Sequence, residues 1–197
     1  TATVTGVERL RGRYGAKVVG AAADRHRLPP LDAALAEGDT VSVGNEQATV
    51  MEVPGHTIGH IAYHFAEGGA LFSADSLMTM GCGRLFEGSA AQMWDSLSRM
   101  AALPDSTDVF TGHEYTESNT RFALSIDAGN PALRERADEI AALRGAGKPT
   151  VPSKLGLEKA TNPFLRAADA GLKASLDMAD ADDVAVFTEI RRRKDAF

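Results

Sequence analysis

The sequence lacks several features that would place it in a specialised class of protein. It contains one cysteine in 197 residues, which excludes an internal disulfide framework and makes a reducing cytoplasm the expected location. No apolar run approaches the ~18–20 residues that span a bilayer, so no membrane association is expected. Acidic residues outnumber basic ones, and the formal net charge of −6 argues against a nucleic-acid partner. What remains is a globular chain with an ordinary 44% of hydrophobic residues.

Histidine is also scarce, and three of the five histidines fall in the stretch PGHTIGHIAYHF, at a spacing of four. The Pro-Gly entry and the β-branched residues favour a strand here. Residues four apart on a strand lie about 13 Å from each other, too far to share one metal. We therefore expect His60 to pack beside the site and His64 to face solvent. His26 stands in a charged loop and belongs to no constellation.

The order of predicted elements indicates an α/β or α+β domain followed by a small helical domain. Short apolar runs alternate with turn signals up to about residue 115 and predict hairpins over 38–55, turning at Gly44-Asn45, and over 60–75, turning at 67–69. A helix with Ser89 as its N-cap is predicted between the second hairpin and the next strand. Beyond about residue 116 helical periodicity dominates, and the Pro-interrupted segment 148–166 is expected to be a loop.

Three residues with metal-binding side chains follow apolar runs in the same way. His56 comes after ATVMEVPG, Asp75 after ALFSA and His113 after DVFTG. Strand ends on one edge of a sheet commonly collect binding groups, and Zn²⁺, Fe²⁺ and Mn²⁺ accept this set of donors. Each residue taken singly is more often structural. On local grounds, a metal site and ordinary structural roles are about equally supported.

Longer motifs carry a resemblance to a known family. In chain order, PGHTIGH, LFSADSL, GCGRLFEG, TGHEYT and TNPFLR resemble hydroxyacylglutathione hydrolase (glyoxalase II), a thioesterase family of the metallo-β-lactamase superfamily. The likeness runs from about residue 15 to the C-terminus. It implies an αββα sandwich followed by a small helical substrate-binding domain. We place the partial sandwich at residues 1–116 and the helical domain at residues 117–197.

The resemblance implies a metal centre and a reaction. In this family the residue matching His56 binds a first metal, that matching Asp75 bridges two metals and orients the nucleophile, and that matching His113 binds the second. Two divalent ions are implied, zinc first and iron or manganese as alternatives. The implied reaction is hydrolysis of S-(2-hydroxyacyl)glutathione thioesters such as S-lactoylglutathione by a metal-bridged hydroxide. This is the final step of methylglyoxal detoxification.

The resemblance also assigns residues to the glutathione thioester. Tyr115 is expected to donate a hydrogen bond near the thiol or the metal and is counted as catalytic with Asp75. Phe86 occupies a position where some members carry Tyr. The cationic groups expected at the peptide carboxylates are Arg84, Arg191 and Lys194. Without the resemblance, the run from Arg191 to Lys194 would be interpreted as a solvated charge run.

Two further residue assignments concern structure. Cys82 is interpreted as a buried structural residue because no neighbouring base is indicated. Asn162 and Arg166 are expected to tie their loop to the helical domain.

One part of the family pattern is absent. The family draws four more ligands from a THxHxDH motif, and no histidine precedes His26. We expect the 197 residues to be a fragment that lacks the first strands of the sandwich, with apolar surface left uncovered. We expect this chain by itself to be a monomer and inactive. Two alternatives remain, a persulfide dioxygenase-like iron enzyme and a non-catalytic glutathione-binding remnant.

Overall fold

The computed structural model describes residues 6–197. Within that range the strands are β1 Val19–Ala21, β2 Ala33–Leu35, β3 Thr40–Val43, β4 Glu46–Glu52, β5 Ile61–Phe65, β6 Ala70–Ala74, β7 Leu77–Met78, β8 Gly81–Cys82, β9 Asp108–Thr111 and β10 Ser153–Lys154. The α-helices are α1 Val7–Tyr14, α2 Ala90–Ala101, α3 Thr116–Asp127, α4 Pro131–Gly145, α5 Leu155–Thr161, α6 Ala170–Ser175 and α7 Asp183–Ala196. No helix in this range is long and apolar enough to cross a membrane.

A mixed six-stranded sheet forms the centre of the molecule, in the order β10-β9-β6-β5-β4-β3. Among the strands of this sheet that the structure describes, β6 and β9 are the one parallel pair, and the other neighbours are antiparallel. Strands β4, β6 and β9 therefore run in the same direction and end at the same edge. The two predicted hairpins are confirmed as β3–β4, turning at Gly44 and Asn45, and β5–β6, turning before Ala70.

One face of this sheet packs against helices and contains most of the core. Leu71 and Val109 are fully buried there, together with Met93 and Leu97 of α2. The predicted N-cap of α2 is confirmed, since the Ser89 side chain accepts the Gln92 N–H in a complete capping box. The cap fixes the residue at which α2 begins. The buried face of α2, which includes Met93 and Leu97, then packs against the sheet.

The opposite face of the sheet is apolar and largely uncovered. Phe72 and Phe110 stack with their ring centroids 4.7 Å apart, and Phe72 is still 43% exposed. Val43 is 64% exposed on the same face. The side chains border a groove of about 690 Å³ whose walls include Val7 and Leu10 of α1. The uncovered apolar surface expected from the sequence is present on this face.

The loop predicted over 148–166 is wrong in part, because β10, α5 and a 3-10 helix at Pro163–Leu165 lie within it. Long-range hydrogen bonds hold these short elements. The fully buried Glu158 carboxylate accepts the Met80 N–H at 2.8 Å and the Asn162 Nδ2–H at 3.1 Å. Burial raises the pKa of Glu158 above its usual range. Such tertiary partners leave no signal in local sequence propensity.

The helical C-terminal part is joined to the sheet through a strand and a shared core. Strand β10 pairs with β9, so residues beyond 116 extend the sheet. The same hydrophobic core holds Leu71 with Leu155, Phe164 and Phe187. The expected tie to the helical domain is made by Arg166, whose guanidinium pairs with the Asp127 carboxylate of α3. Asn162 instead donates to the carbonyls of Met78 and Gly81, which lie in the strands of the first part of the chain. The division at residues 116 and 117 stays a prediction.

Candidate metal centre

Asp75 is aimed by the backbone at the end of β6. The register of β6 against β9 slips between Phe72 and Ala74, so Ser73 is an extra residue in a β-bulge. Ala74 then takes a left-handed conformation with φ of 47°. A bulge followed by a left-handed turn changes the direction of the chain immediately before Asp75. Non-glycine residues in this region cost about 1–3 kcal/mol and are common at functional sites.

His56 presents one ring nitrogen to Asp75 and anchors the other. Its Nδ1–H donates to the Arg84 carbonyl at 2.8 Å, so Nε2 carries the free lone pair. That Nε2 lies 3.6 Å from Asp75 Oδ2. A histidine that donates one N–H to a backbone carbonyl and offers the other nitrogen has the arrangement typical of metal ligands.

His113 contacts the same carboxylate from the end of β9. Its Nδ1 lies 2.6 Å from Asp75 Oδ1, and the Thr111 hydroxyl donates to the His113 carbonyl at 3.0 Å. The three residues selected from their strand-end positions are thus brought together at one edge. Their role as metal ligands stays a prediction.

The donor types at this edge fit a divalent ion, but the three side chains are not arranged around one position. Among residues 6–197 no group of three or more His, Cys, Asp or Glu side chains could hold a metal ion. The direct contact of His113 Nδ1 with Asp75 Oδ1 at 2.6 Å leaves no space for an ion between these two atoms. The wider separation of His56 from Asp75 does leave space, because zinc–ligand distances are about 2.0–2.2 Å.

His60 lies closer to the site than its sequence position indicated. The chain between β4 and β5 forms turns instead of a continuous strand, so the distance of about 13 Å expected between His56 and His60 was wrong. Their ring centroids are 5.5 Å apart, edge to face. The expectation that His60 packs beside the site is confirmed. His64, expected to face solvent, is partly buried, and this burial lowers its pKa.

Two glycines that the sequence reasoning missed lie against Asp75, Gly112 at its carboxylate and Gly83 at its backbone carbonyl. A Cβ added to Gly112 would lie 2.5 Å from Asp75 Oδ1, and one added to Gly83 would lie 2.8 Å from His56 Nδ1 and also strike the Asp75 carbonyl. Neither position tolerates a side chain in this arrangement. The signal was available in GCG and TGH, where a glycine stands next to each candidate segment.

Aromatic rings flank the two histidines at the surface. Phe86, 68% exposed, lies with its ring 4.9 Å from the His56 ring. Tyr115, 54% exposed, stacks in parallel on His113 at 5.1 Å. The family resemblance assigned both aromatic residues to the substrate site. In the structure they lie at the surface beside His56 and His113.

The three cationic residues expected at the substrate differ in how exposed their charged groups are. Arg84 is exposed, with Nε 3.8 Å from the Asp195 carboxylate. Lys194 is half-buried and donates to the Ser118 carbonyl at 3.2 Å. Burial, then the charges of Arg191 and other arginines, lowers the Lys194 pKa to about 8.

Arg191 is turned inward. Its guanidinium donates to the Cys82 carbonyl at 3.1 Å and to Asp195 at 2.7 Å, and it lies over the Phe164 ring. The interpretation of Cys82 as a buried structural residue is confirmed, and burial raises its pKa to about 11. In this arrangement Arg191 supports the loop that precedes Arg84, and the arginine itself is 5% exposed.

Comparisons with known proteins agree along the whole chain. Residues 4–113 match the metallo-β-lactamase superfamily, and residues 114–197 match the hydroxyacylglutathione hydrolase C-terminus. A curated hydroxyacylglutathione hydrolase of Cereibacter sphaeroides is 61% identical over 194 residues, covering 98% of this chain and 76% of that protein. A second, of Ruegeria pomeroyi, is 60% identical over the same shares.

The fold has solved relatives. The crystal structure of ETHE1 from Myxococcus xanthus superposes with a TM-score of 0.61 at 26% identity, covering 96% of this chain and 63% of that one. The likeness confirms the predicted metallo-β-lactamase fold. This chain therefore spans less than two thirds of that solved structure and about three quarters of the curated relatives.

Proposed function

This chain belongs to the hydroxyacylglutathione hydrolase family, and we propose that it serves the hydrolysis of S-(2-hydroxyacyl)glutathione thioesters to glutathione and a 2-hydroxy acid. The observation that carries the proposal is the contact of both His56 and His113 with the Asp75 carboxylate. These three donors come from three separate loops, and only the fold brings them together. S-Lactoylglutathione is the substrate we would test first.

Membership of the metallo-β-lactamase superfamily implies divalent metal ions. We propose two ions, with zinc as the first candidate, held in part by His56, Asp75 and His113. When bound, such ions supply Lewis acidity that activates water and polarises a carbonyl.

The residues around these donors would orient the substrate. The Phe86 and Tyr115 rings, both exposed, offer apolar surface to the acyl and thiol part of the thioester. The phenol of Tyr115 can donate a hydrogen bond towards the sulfur. The leaving thiolate has a conjugate acid with a pKa of about 8.5, so the chain needs no strong general acid.

The peptide carboxylates would be held by Arg84 and Lys194. Both belong to a cationic group at the C-terminal helix, which offsets the acidic charge of the whole protein locally. Arg191 acts here through its bonds to Cys82 and Asp195, which fix the neighbouring loop and helix. The family resemblance had instead implied direct contact of Arg191 with the peptide carboxylates.

The alternatives have less support. The match of residues 114–197 to the hydroxyacylglutathione hydrolase C-terminus favours the thioesterase over a persulfide dioxygenase-like enzyme. A non-catalytic remnant would have no need to keep His56, Asp75 and His113 in contact.

The experiment compares two proteins for lactoylglutathione hydrolysis and bound metal. One is the 197-residue chain, and the other is a chimera that adds the residues preceding the matched region in the Cereibacter sphaeroides relative. We expect the chain alone to be inactive, because three donors without further ligands bind metal weakly. We expect the chimera to bind metal and turn over substrate.

A substitution pair tests the site within the chimera. Asp75→Asn is expected to abolish hydrolysis and to reduce bound metal. Asp138→Asn, on the exposed face of α4, removes the same charge far from the site and is expected to leave both unchanged. A chimera that binds metal without hydrolysing the thioester would overturn the proposed function in favour of the remnant.

A further inference from the structure

A third imidazole, His60, contacts the two predicted ligands His56 and Asp75, and packing is the role described for it so far. The His60 ring meets the His56 ring edge to face at 5.5 Å, and its Nε2 lies 3.3 Å from the Asp75 backbone nitrogen. The His60 ring thus contacts the ring of one candidate ligand, His56, and the main-chain nitrogen of the other, Asp75.

The protonation pattern of His60 follows from its partners. A backbone N–H can only donate, so Nε2 must accept and carry no proton. The proton then sits on Nδ1, which lies 3.3 Å from the Thr57 hydroxyl oxygen and donates to it.

The hydrogen bond falls where the chain is strained. Asp75 follows a β-bulge and the left-handed Ala74, with φ of 47°. A conformation of this cost persists only when its surroundings fix it. Neighbouring backbone bonds hold Ala74 and Ser76, since Gly112 donates to the Ala74 carbonyl and Ser76 to the Ser73 carbonyl. His60 provides the bond to Asp75 itself.

We propose that His60 is a positioning residue that holds the Asp75 backbone through Nε2 and so directs the Asp75 carboxylate between His56 and His113. Thr57 sets the tautomer that makes this possible. The inference rests on the proposed function only in taking these three residues as the reactive centre. Residues that orient metal ligands commonly change affinity or activity by about 10–100-fold when replaced.

The first arm of the test uses the 197-residue chain and needs no turnover. Imidazole ¹⁵N spectra report the His113 Nδ1–H bonded to Asp75, and hydrogen exchange reports the Asp75 amide. His60→Leu fills most of the space with an apolar side chain but removes the hydrogen-bond acceptor. His60→Gln places an amide oxygen near the Nε2 position and keeps an acceptor there. We expect His60→Leu to speed Asp75 amide exchange at least tenfold and to weaken the His113 signal, and His60→Gln to restore both.

The second arm measures hydrolysis by the chimera. We expect His60→Leu to lower kcat about 10–100-fold with KM within twofold, and His60→Gln to recover most of kcat. Thr57→Val should lie between them, which keeps the proposal testable if His60→Leu does not fold. A kcat that falls equally in His60→Gln and His60→Leu would assign His60 to packing alone and overturn the proposal.

The two proposals fail differently. If the wild-type chimera does not hydrolyse the thioester, the proposed function fails, and the spectra of the chain alone decide whether His60 positions Asp75. An unchanged His113 signal and unchanged Asp75 exchange in His60→Leu would overturn the positioning role, whatever the activity.

Discussion

The position of Asp75 at the strand-end edge depends on two neighbouring glycines, which have no side chain, as well as on the histidines that contact it. Asp75 has Gly112 against its carboxylate and Gly83 against its carbonyl. Both glycines let backbone and imidazole approach the carboxylate closely. The acidic group is therefore fixed by close packing and by a strained backbone, and a single added methyl group would displace it.

Gly83→Ala tests this close approach. The new Cβ would strike the Asp75 carbonyl and lie 2.8 Å from His56 Nδ1, so we expect a loss of about 1–3 kcal/mol in unfolding free energy. Hydrolysis by the chimera should fall about 100-fold through misplaced donors. Urea unfolding and kcat/KM measure the two effects.

Gly129→Ala is the matched control for that substitution. No atom lies within 4 Å of its added Cβ, so stability and rate should stay unchanged. Equal rates for Gly83→Ala and Gly129→Ala would show that the site is looser than the close contacts indicate.

We expect Lys194, which we propose as a substrate contact, to make the affinity for glutathione pH-dependent. Its pKa in the folded chain is about 8, below the ordinary 10.5, because burial and neighbouring arginines disfavour the charged form. The folded chain therefore loses this proton as pH rises through about 8, and the affinity for S-methylglutathione should fall by about tenfold. Titration calorimetry across this range measures the affinity.

The effect of rising pH on stability is opposite to its effect on binding. Between about 8 and 10.5 the unfolded chain holds more protons on Lys194 than the folded one, so its contribution to stability rises with pH. Lys194→Arg keeps its charge throughout and should bind with a flatter pH dependence. A wild-type affinity that does not change across this range would remove Lys194 from the binding site.

Whole elements were the most predictable part of the structure. The two hairpins and α2 followed from turn residues, from alternation and from a capping serine, all of which act between neighbours in sequence. The short elements between 148 and 166 were missed because their hydrogen-bond partners, such as Met80 for Glu158, lie 78 positions away.

Ser89→Ala tests the capping box of α2. Loss of the bond to the Gln92 N–H should cost about 1 kcal/mol of unfolding free energy, measured by urea denaturation. Ser98→Ala, exposed in the middle of the same helix, removes a serine with no capping role and should leave stability unchanged or slightly higher. A loss of similar size in both variants would assign the effect to the serine side chain in general.

Within residues 6–197, one face of the central sheet is buried and the other is largely uncovered. On the open face the exposed rings and aliphatic side chains form a contiguous apolar surface around Phe72. Surfaces of this kind are uncommon on soluble monomers and bind apolar dyes.

We expect the 197-residue chain to enhance the fluorescence of an anilinonaphthalene sulfonate dye in its native state. The double variant Val43→Glu/Phe72→Glu should lose at least half of the signal, because it introduces charges where the groove is apolar. Leu157→Glu, at an exposed leucine of α5, is the control and should keep the signal. Fluorescence that is unchanged in the double variant would place dye binding elsewhere.

The sequence by itself determined the two hairpins, the helix start at Ser89, and the family with its three candidate donors, because these depend on local patterns and on motifs. Only the tertiary structure decided that His60 reaches Asp75, that Arg191 turns inward, and that β10 joins the sheet. Those outcomes depend on contacts between segments far apart in sequence. The packing and the β-bulge that set the geometry of these contacts cannot be inferred from the spacing of residues.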